Sequence, residues 1–379
     1  MEDEITRAKR LFVDSSARSP FALWLECKAL FKNQDATLRA HLKQLKLLGH
    51  SVDCLVWIPF KHFVNVELLG EGAFARVYKA QMRNKLRWKN EELCYALKEV
   101  KHEDFTKEVI INIHLSSHSD MDRVPTAYIF GLSYHTSTKK YLMVTRCGEQ
   151  TLDTKQYSMK GTWGDITMAC LKLATRLHLI HRDQVLHQDL HPGNVVFMPG
   201  KSDPVFIDVG LSTVKGAPKE RGMYGRLCYF PPEVFEKKEY NAFSEVYCLG
   251  TLMWQMVTGV PPCPLCPPYL PWKDGLREDP VPGMPKPLAD LIRDCWYKEP
   301  QRRPKMSVVV MRAQQAYNQM CSMPISKATQ DFVAKRRNDY LRDKILKENG
   351  ETEASTSAST NTSSYYSSDA LSKMSGSLQ

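Results

Sequence analysis

The first half of the chain carries the apolar patterns of several strands. Residues 67–80 (ELLGEGAFARVYKA) predict a strand, a glycine turn and a second strand. Residues 92–100 alternate between apolar and polar side chains, and residues 141–145 form a short apolar run, so each predicts a further strand. Residues 162–181 instead predict a long helix with one apolar stripe, which comprises Ile166, Cys170, Leu173 and Leu177.

Residues 1–60 precede these strands and predict a helical N-terminal extension. Residues 22–31 and 37–48 carry apolar side chains at helical spacing, and Gly49 can end the second helix. The apolar stripe of the second segment comprises Leu38, Leu42, Leu45 and Leu48. We expect this extension to pack on the core of the domain that follows it.

Residues 185–210 combine two short apolar runs with three polar side chains that could perform chemistry. The runs are joined by a turn rich in Pro, Gly, Lys and Asp, and Asp189, Asn194 and Asp208 lie near their ends. Phosphoryl transfer needs one carboxylate to accept the proton of an attacking hydroxyl. It also needs an amide and a second carboxylate to hold Mg²⁺ against the phosphates.

These residues resemble the catalytic loop and metal-binding turn of eukaryotic protein kinases. Residues 187–189 (His-Gln-Asp), Asn194 and residues 208–210 (Asp-Val-Gly) stand in the order and spacing of that family. Residues 181–183 spell His-Arg-Asp literally, but Gln188 stands where the required Asn would follow. We therefore assign the catalytic role to Asp189.

The resemblance extends to a nucleotide-binding site. It implies that Lys98 contacts the phosphates while Glu108, or alternatively Glu103, holds its ammonium group, and that Asn194 and Asp208 bind the metal. Glycines 70 and 72 allow the backbone to approach phosphate oxygens. The implied nucleotide-binding residues are Leu69, Gly70, Glu71, Gly72, Ala73, Phe74, Ala75, Val77, Ala96, Lys98, Thr145, Arg146 and Cys147.

The resemblance implies an α+β fold with two lobes, as in protein kinases. A small β-rich N-lobe with one main helix should cover about residues 61–147, and a larger helical C-lobe about residues 148–315. Residues 229–233 (Tyr-Phe-Pro-Pro-Glu) and Arg303 resemble two partners that fix the substrate platform. The local motifs are most similar to those of the tyrosine-kinase-like branch. Residues 316–379 should form a basic, then Ser/Thr-rich and disordered tail.

Composition excludes several other classes. The chain has 379 residues, of which 43% are hydrophobic and 25% charged, as in soluble globular proteins. No apolar run reaches the roughly 20 residues of a membrane span, and the first residues lack a signal peptide, so we expect a cytoplasmic or nuclear protein. Eleven scattered cysteines suit a reducing compartment. The net charge of +10 is spread along the chain without a recognition motif, so no nucleic-acid partner is expected.

The expected function is therefore transfer of the γ-phosphate of Mg-ATP to hydroxyls of protein substrates, with Ser/Thr favoured over Tyr and the chain itself as a further acceptor. His191 and Arg226 stand where typical Ser/Thr kinases have Lys and Thr, which leaves the acceptor class open. Gln188 replaces the Arg that reads a phosphorylated activation loop, so phosphorylation of Ser212, Thr213 or Tyr224 should not be obligatory. The alternatives are a nucleotide-binding pseudokinase scaffold and a small-molecule phosphotransferase.

Overall fold

A twisted six-stranded sheet forms the first half of the domain. The computed structural model describes residues 22–47, 54–72, 75–83, 87–88, 91–100, 102–117, 124–199, 203–214, 225–236, 239–262 and 277–354. The strands of this part are β1 (Val56–Trp57), β2 (Phe63–Glu71), β3 (Ala75–Met82), β4 (Arg87–Trp88), β5 (Glu91–Glu92), β6 (Cys94–Val100), β7 (Ile129–His135) and β8 (Lys140–Arg146). The large sheet has the order β1-β7-β8-β6-β3-β2, and β4 pairs only with β5.

The period-two pattern of β6 explains its central place in this sheet. Tyr95 and Leu97 are buried in one apolar cluster. Lys98 is the next residue of the strand, so its side chain points to the opposite face of the sheet. Strand β6 pairs antiparallel with β3 on one side and with β8 on the other. In the described part of this sheet, β1 and β7 pair in parallel and the other neighbouring strands pair antiparallel.

The N-terminal extension forms a pair of helices that packs on this half of the domain. It comprises α1 (Ala22–Leu30) and α2 (Asp35–Gln44), and the next helix, α3 (His102–Ser117), lies against the sheet. Leu38 and Leu42 share a buried cluster with Phe105 and Val109 of α3. The predicted end of the second helix at Gly49 is wrong, because α2 ends at Gln44, two residues before the left-handed Lys46 (φ 56°). Residues 48–53, including Leu48, lie outside the described residues.

Helices dominate the second half of the domain. The predicted long helix is α4 (Gly164–Arg182), and all four residues of its apolar stripe are buried. The other helices are α5 (Pro232–Phe235), α6 (Ala242–Thr258), α7 (Lys286–Cys295), α8 (Met306–Met320) and α9 (Lys327–Ala354). The bilobal α+β fold expected from the resemblance is therefore confirmed.

Helix α6 forms the centre of this half, and its residues 244–258 are all buried. It begins with a capping box between Asn241 and Ser244 and ends at Gly259 in the left-handed conformation. Gly250 allows α7 to approach closely, because an added Cβ would lie 2.6 Å from the Cβ of Cys295. The core of the second half thus surrounds one almost wholly buried helix.

Small sheets position the loop between α4 and the activation segment. Strands β10 (Val185–Leu186) and β13 (Thr213–Val214) pair antiparallel, while β11 (Val195–Met198) pairs with β12 (Asp203–Phe206) and with β9 (Gln150–Thr151). The hairpin of β11 and β12 agrees with the two apolar runs seen in the sequence. Asp189, Asn194 and Asp208 therefore stand at neighbouring strand ends.

The end of the domain lies later than residue 315. That residue falls inside α8, and α9 continues to Ala354 with Thr329 and Val333 fully buried. Arg337 donates to the carbonyl of Thr258 at 2.9 Å and Arg336 pairs with Glu278 at 2.7 Å, so part of the basic segment is tied to the core. The Ser/Thr-rich residues 355–379 lie outside the described residues. No helix in the described ranges combines the length and apolar character of a membrane span.

Candidate active site

A cleft of about 490 Å³ lies between the two lobes, and it collects most of the residues predicted to bind nucleotide or metal. Its walls come from β2, β3, β6 and β8 above and from the ends of β11 and β12 below. The predicted residues that line it are Leu69, Gly70, Glu71, Gly72, Ala75, Val77, Ala96, Lys98, Glu108, Thr145, Arg146, Cys147, Asn194 and Asp208. Ala73 and Phe74 lie outside the described residues.

The glycine turn at the top of the cleft leaves room for a ligand. An added Cβ at Gly70 would meet no atom within 4 Å, and one at Gly72 would meet only the Ala75 carbonyl oxygen, at 3.9 Å. Packing within the protein therefore does not require glycine at these positions. The open space on the cleft side is consistent with a ligand that approaches the backbone closely.

Lys98 joins the two lobes through two carboxylates. Its Nζ lies 2.6 Å from Glu108 Oε1 on α3 and 2.6 Å from Asp208 Oδ1. The side chains of Lys98 and Glu108 are 11% and 1% exposed, whereas that of Asp208 is 38% exposed to the cleft. Glu108 is therefore a partner of Lys98 in the structure, and the side chain of Glu103 lies outside the described residues.

The opposite charges of Lys98 and its two carboxylate partners stabilise one another. Burial opposes the charged form of Lys98, but the adjacent carboxylates of Asp208 and Glu108 outweigh it and raise the pKa of the ammonium. Burial likewise opposes ionisation of Asp208, but Lys98 and the Gly210 amide hold the pKa of Asp208 below its ordinary value. Lys98 is therefore a cation, and Asp208 an anion, at neutral pH.

Asp189 lies beside the cleft and not on its lining. Asn194 Nδ2 donates to the Asp189 backbone oxygen at 3.0 Å and to its Oδ2 at 2.9 Å. His191 Nε2 lies 3.5 Å from the same Oδ2. Within the described part of the chain, the buried Oδ1 of Asp189 has no hydrogen-bond partner. A buried acceptor without a donor is costly, so this atom is suited to receive a hydroxyl from a ligand.

Backbone strain marks the same loop. Gln188 and Asp208 have φ values of 64° and 61°, a region that non-glycine residues seldom occupy and that is enriched at functional sites. The Gln188 amide donates to Glu245 Oε1 at 2.7 Å, and His187 Nε2 lies 3.1 Å from the Ile207 carbonyl oxygen. Buried Glu245 and His187 thus hold the strained residues in place. The supporting role predicted for His187 agrees with these contacts.

The segment that joins the lobes departs in part from expectation. The resemblance implied that Arg146 and Cys147 bind the nucleotide, and both line the cleft. In the structure, the Arg146 amide donates to the Tyr128 carbonyl at 3.1 Å and the Cys147 amide to the Cys94 carbonyl at 2.9 Å. These two amides are therefore engaged within the protein, and strand pairing is the physical reason.

Two of the three proposed phosphoacceptors can be located. Ser212 is fully buried and its hydroxyl donates to the His187 carbonyl at 3.1 Å, so it is inaccessible in this conformation. Thr213 Oγ1 accepts a short hydrogen bond from Gln188 Nε2. Tyr224 lies outside the described residues. Gln188 therefore contacts the activation segment through an uncharged hydrogen bond.

Sequence reasoning missed two polar contacts near the cleft. Arg226 lines the cleft, and its guanidinium forms two 2.7 Å hydrogen bonds with the carboxylate of Asp153. Glu245 accepts a hydrogen bond from the Gln188 amide, although the two residues are 57 positions apart in the sequence. Opposite charge was the available signal for the first contact, but a separation of 73 positions in the sequence concealed it.

The pair predicted between Glu233 and Arg303 is present. Arg303 donates through Nη1 and Nη2 to the two carboxylate oxygens of Glu233, at 2.7 Å each, and both side chains are at most 1% exposed. Ser244 also donates to Glu233 at 2.7 Å. Such a bidentate buried pair fixes the position of α5, which carries Glu233.

Comparison with known proteins identifies the same region of the chain. A family model described as "Protein kinase domain" matches residues 63–317. The chain is 24% identical over 265 residues to mitogen-activated protein kinase kinase kinase 7 of Homo sapiens, a match that covers 67% of this chain and 41% of that protein. It is 27% identical over 277 residues to seven transmembrane domain-containing tyrosine-protein kinase 1 of Dictyostelium discoideum, with 67% and 38% covered.

A third relative is dual specificity protein kinase shkE of Dictyostelium discoideum. It is 26% identical over 265 residues, which cover 66% of this chain and 36% of that protein. This chain thus spans about two fifths of the length of the curated relatives it matches. The similarity is confined largely to the two lobes that form the cleft.

Proposed function

The chain belongs to the protein kinase family, and we propose that it transfers the γ-phosphate of ATP to hydroxyl groups of protein substrates, with Ser and Thr favoured over Tyr. The observation that carries this proposal is the position of Lys98, 2.6 Å from both Glu108 and Asp208. A cation held by one carboxylate from each lobe lies where the phosphates of a nucleotide in the cleft would need charge compensation.

The residues of the cleft fit ATP with Mg²⁺. Asn194 uses its Nδ2 to bind Asp189, which orients its amide oxygen as a ligand, and Asp208 contributes a partly exposed carboxylate. Oxygen atoms of this kind are the ligands that Mg²⁺ prefers. When bound there, Mg²⁺ would supply charge neutralisation on the phosphates. The open space at Gly70 would admit phosphate oxygens next to the backbone.

Asp189 acts on the acceptor in this mechanism. Its Oδ1 accepts the hydrogen bond of the incoming hydroxyl and so directs the oxygen lone pair towards the phosphorus atom. Asn194 holds Oδ2, and this contact fixes the rotation of the carboxylate. Because positioning provides most of the acceleration, correct placement of Asp189 matters more than its basicity.

Protein acceptors are favoured over small molecules by the platform beyond the cleft. The buried pair of Glu233 and Arg303 fixes a surface next to the activation segment, where an extended peptide could lie. The relatives include one named as a tyrosine-protein kinase and one as a dual specificity kinase, so the acceptor class must be measured. We propose that this activity takes place in the cytoplasm or nucleus, because the eleven cysteines are scattered along the sequence, as in proteins of reducing compartments.

The test uses the purified full chain with Mg-ATP, a generic protein mixture and itself as acceptors. Asp189→Asn and Asp208→Asn should each lower transfer by roughly 100-fold to 10,000-fold. Asp183→Asn is the matched control, because Asp183 ends the literal His-Arg-Asp tripeptide but does not line the cleft. Phosphoamino-acid analysis identifies the acceptor class.

A pseudokinase scaffold would give a different set of results. ATP binding measured by calorimetry would remain, while neither transfer nor autophosphorylation would be detected with the unmodified chain. Equal loss of transfer in Asp183→Asn and Asp189→Asn would also contradict the assignment of the catalytic carboxylate.

A further inference from the structure

Two cysteines face each other where β6 and β8 enter the segment that joins the lobes. Strands β6 and β8 pair with Tyr95 opposite Arg146, so the next pair along the ladder is Cys94 and Cys147. The Cys147 amide donates to the Cys94 carbonyl at 2.9 Å. Directly opposed side chains of neighbouring strands lie on the same face of the sheet, so the two thiols are neighbours.

This geometry is close to that of a disulfide. Directly opposed residues of an antiparallel pair have Cβ atoms about 4.5–5.5 Å apart, whereas a disulfide needs about 3.5–4.5 Å. A movement of roughly 1 Å at the strand ends would therefore suffice for the bond. Backbone carbonyls already orient the two thiols, because Cys94 Sγ donates to Ala80 at 3.5 Å and Cys147 Sγ to Gly148 at 3.3 Å.

Cys94 differs from the deeply buried cysteines of this chain. The adjacent Cys147 thiol lowers the pKa of the Cys94 thiol, and the cation of Lys79 adds to this effect, although partial burial opposes it. Burial instead raises the pKa of Cys27, Cys170 and Cys295 to about 12. Since the thiolate is the nucleophile and Cys94 is partly exposed, Cys94 is the more reactive thiol.

We propose that Cys94 and Cys147 form a redox-sensitive thiol pair that hydrogen peroxide converts to a disulfide, and that this bond weakens nucleotide binding in the cleft. The second part rests on the proposed function, because Cys147 lines the cleft that we assign to ATP. Buried Cys147 needs no contact with peroxide, since it acts only on the oxidised sulfur of Cys94.

The reaction proceeds in two steps. The Cys94 thiolate attacks one oxygen of hydrogen peroxide, the O–O bond breaks, and the products are a sulfenic acid and hydroxide, which takes a proton to become water. The Cys147 sulfur then attacks the sulfenic sulfur, so that the S–S bond forms and the S–O bond breaks. The departing hydroxide takes the Cys147 proton, and in total two thiols and one peroxide give a disulfide and two waters.

The disulfide would displace the wall of the cleft. Cys147 follows Thr145 and Arg146, which also line the cleft, and the bond would draw this segment towards the start of β6. Because displacements of about 1 Å at a binding site can cost up to about 100-fold, we expect oxidation to weaken ATP binding roughly 10-fold to 100-fold. A thiol reductant such as dithiothreitol should restore it.

The experiment treats the purified full chain with hydrogen peroxide, alkylates the remaining thiols and maps the peptides by mass spectrometry. A Cys94–Cys147 cross-link and a reversible loss of ATP affinity by calorimetry are expected. Cys94→Ser should bind ATP as the unmodified chain does and should resist peroxide. Cys321→Ser, which removes a partly exposed thiol elsewhere, is the matched control and should remain sensitive.

Two outcomes would overturn the proposal: peroxide that oxidises other cysteines without linking this pair, or equal peroxide sensitivity of ATP binding in Cys94→Ser and Cys321→Ser. The mapping does not depend on catalysis. A cross-link found in a protein that transfers no phosphate would therefore support the thiol pair while contradicting the proposed function.

Discussion

Truncation of Leu42 tests whether the N-terminal extension stabilises the kinase domain through α3. Leu42 is fully buried in the cluster that includes Phe105, Val109 and Ile113 of α3. Leu42→Ala removes three carbons, worth about 0.8 kcal/mol each, and leaves a cavity, so the free energy of unfolding should fall by about 3–4 kcal/mol.

The consequence should extend to the active site. Helix α3 carries Glu108, and Thr106 of α3 lies 3.4 Å from the Leu45 carbonyl at the end of α2. Loosening of this contact should weaken the Lys98–Glu108 pair, so phosphate transfer should fall along with stability.

Urea unfolding followed by tryptophan fluorescence measures the first effect, and transfer to a generic substrate measures the second. Leu25→Ala is the matched control, because Leu25 lies on α1 of the same extension but is 51% exposed. It should change the free energy of unfolding by at most about 0.5 kcal/mol. A loss below about 1 kcal/mol for Leu42→Ala would refute the packing of α2 on α3.

Three further predictions concern other parts of the molecule. Glu233→Gln should leave the buried Arg303 charge poorly compensated and lower the free energy of unfolding in urea by about 3–5 kcal/mol, and an unchanged midpoint would contradict this. Burial lowers the pKa of His41 below its ordinary 6.5, so the folded protein favours the neutral ring. The stability that this preference contributes is complete above pH 6.5 and is lost as the pH falls below that value. Melting temperatures at pH 8 and pH 5.5 should therefore differ less in His41→Gln than in the unmodified chain, and equal differences would exclude this role. Because Gln188 bonds Thr213 without a phosphate, phosphatase-treated protein should keep its transfer rate, and complete loss would disprove this expectation.

Much of the fold followed from local patterns in the sequence. The stripe of α4 and the alternation in β6 reflect side-chain periods that hold in any surroundings, so their elements could be predicted. The end of α2 could not, because left-handed Lys46, and not the glycine at position 49, stops the helix. The attachment of α9 to the core could not be predicted either, since it depends on contacts such as Arg337 with the end of α6.

Some contacts of the site residues could likewise be predicted from local sequence, and others depend on tertiary structure. Asp189, Asn194 and Asp208 were found from their order and spacing, because the hairpin of β11 and β12 brings close together what is already near in sequence. The contact of Glu108 with Lys98 depends on the phase and position of α3 against the sheet, which the sequence does not specify.

Residue type and spacing were thus sufficient for the family, the lobes and the chemical groups of the cleft, since these depend on short-range periodicity and on motifs. Only the tertiary structure decided which amides are already engaged, that Ser212 is buried, that Arg226 meets Asp153 and that Cys94 meets Cys147. Each of these depends on the pairing of segments distant in sequence, and that pairing is set by the packing of the whole domain rather than by local pattern.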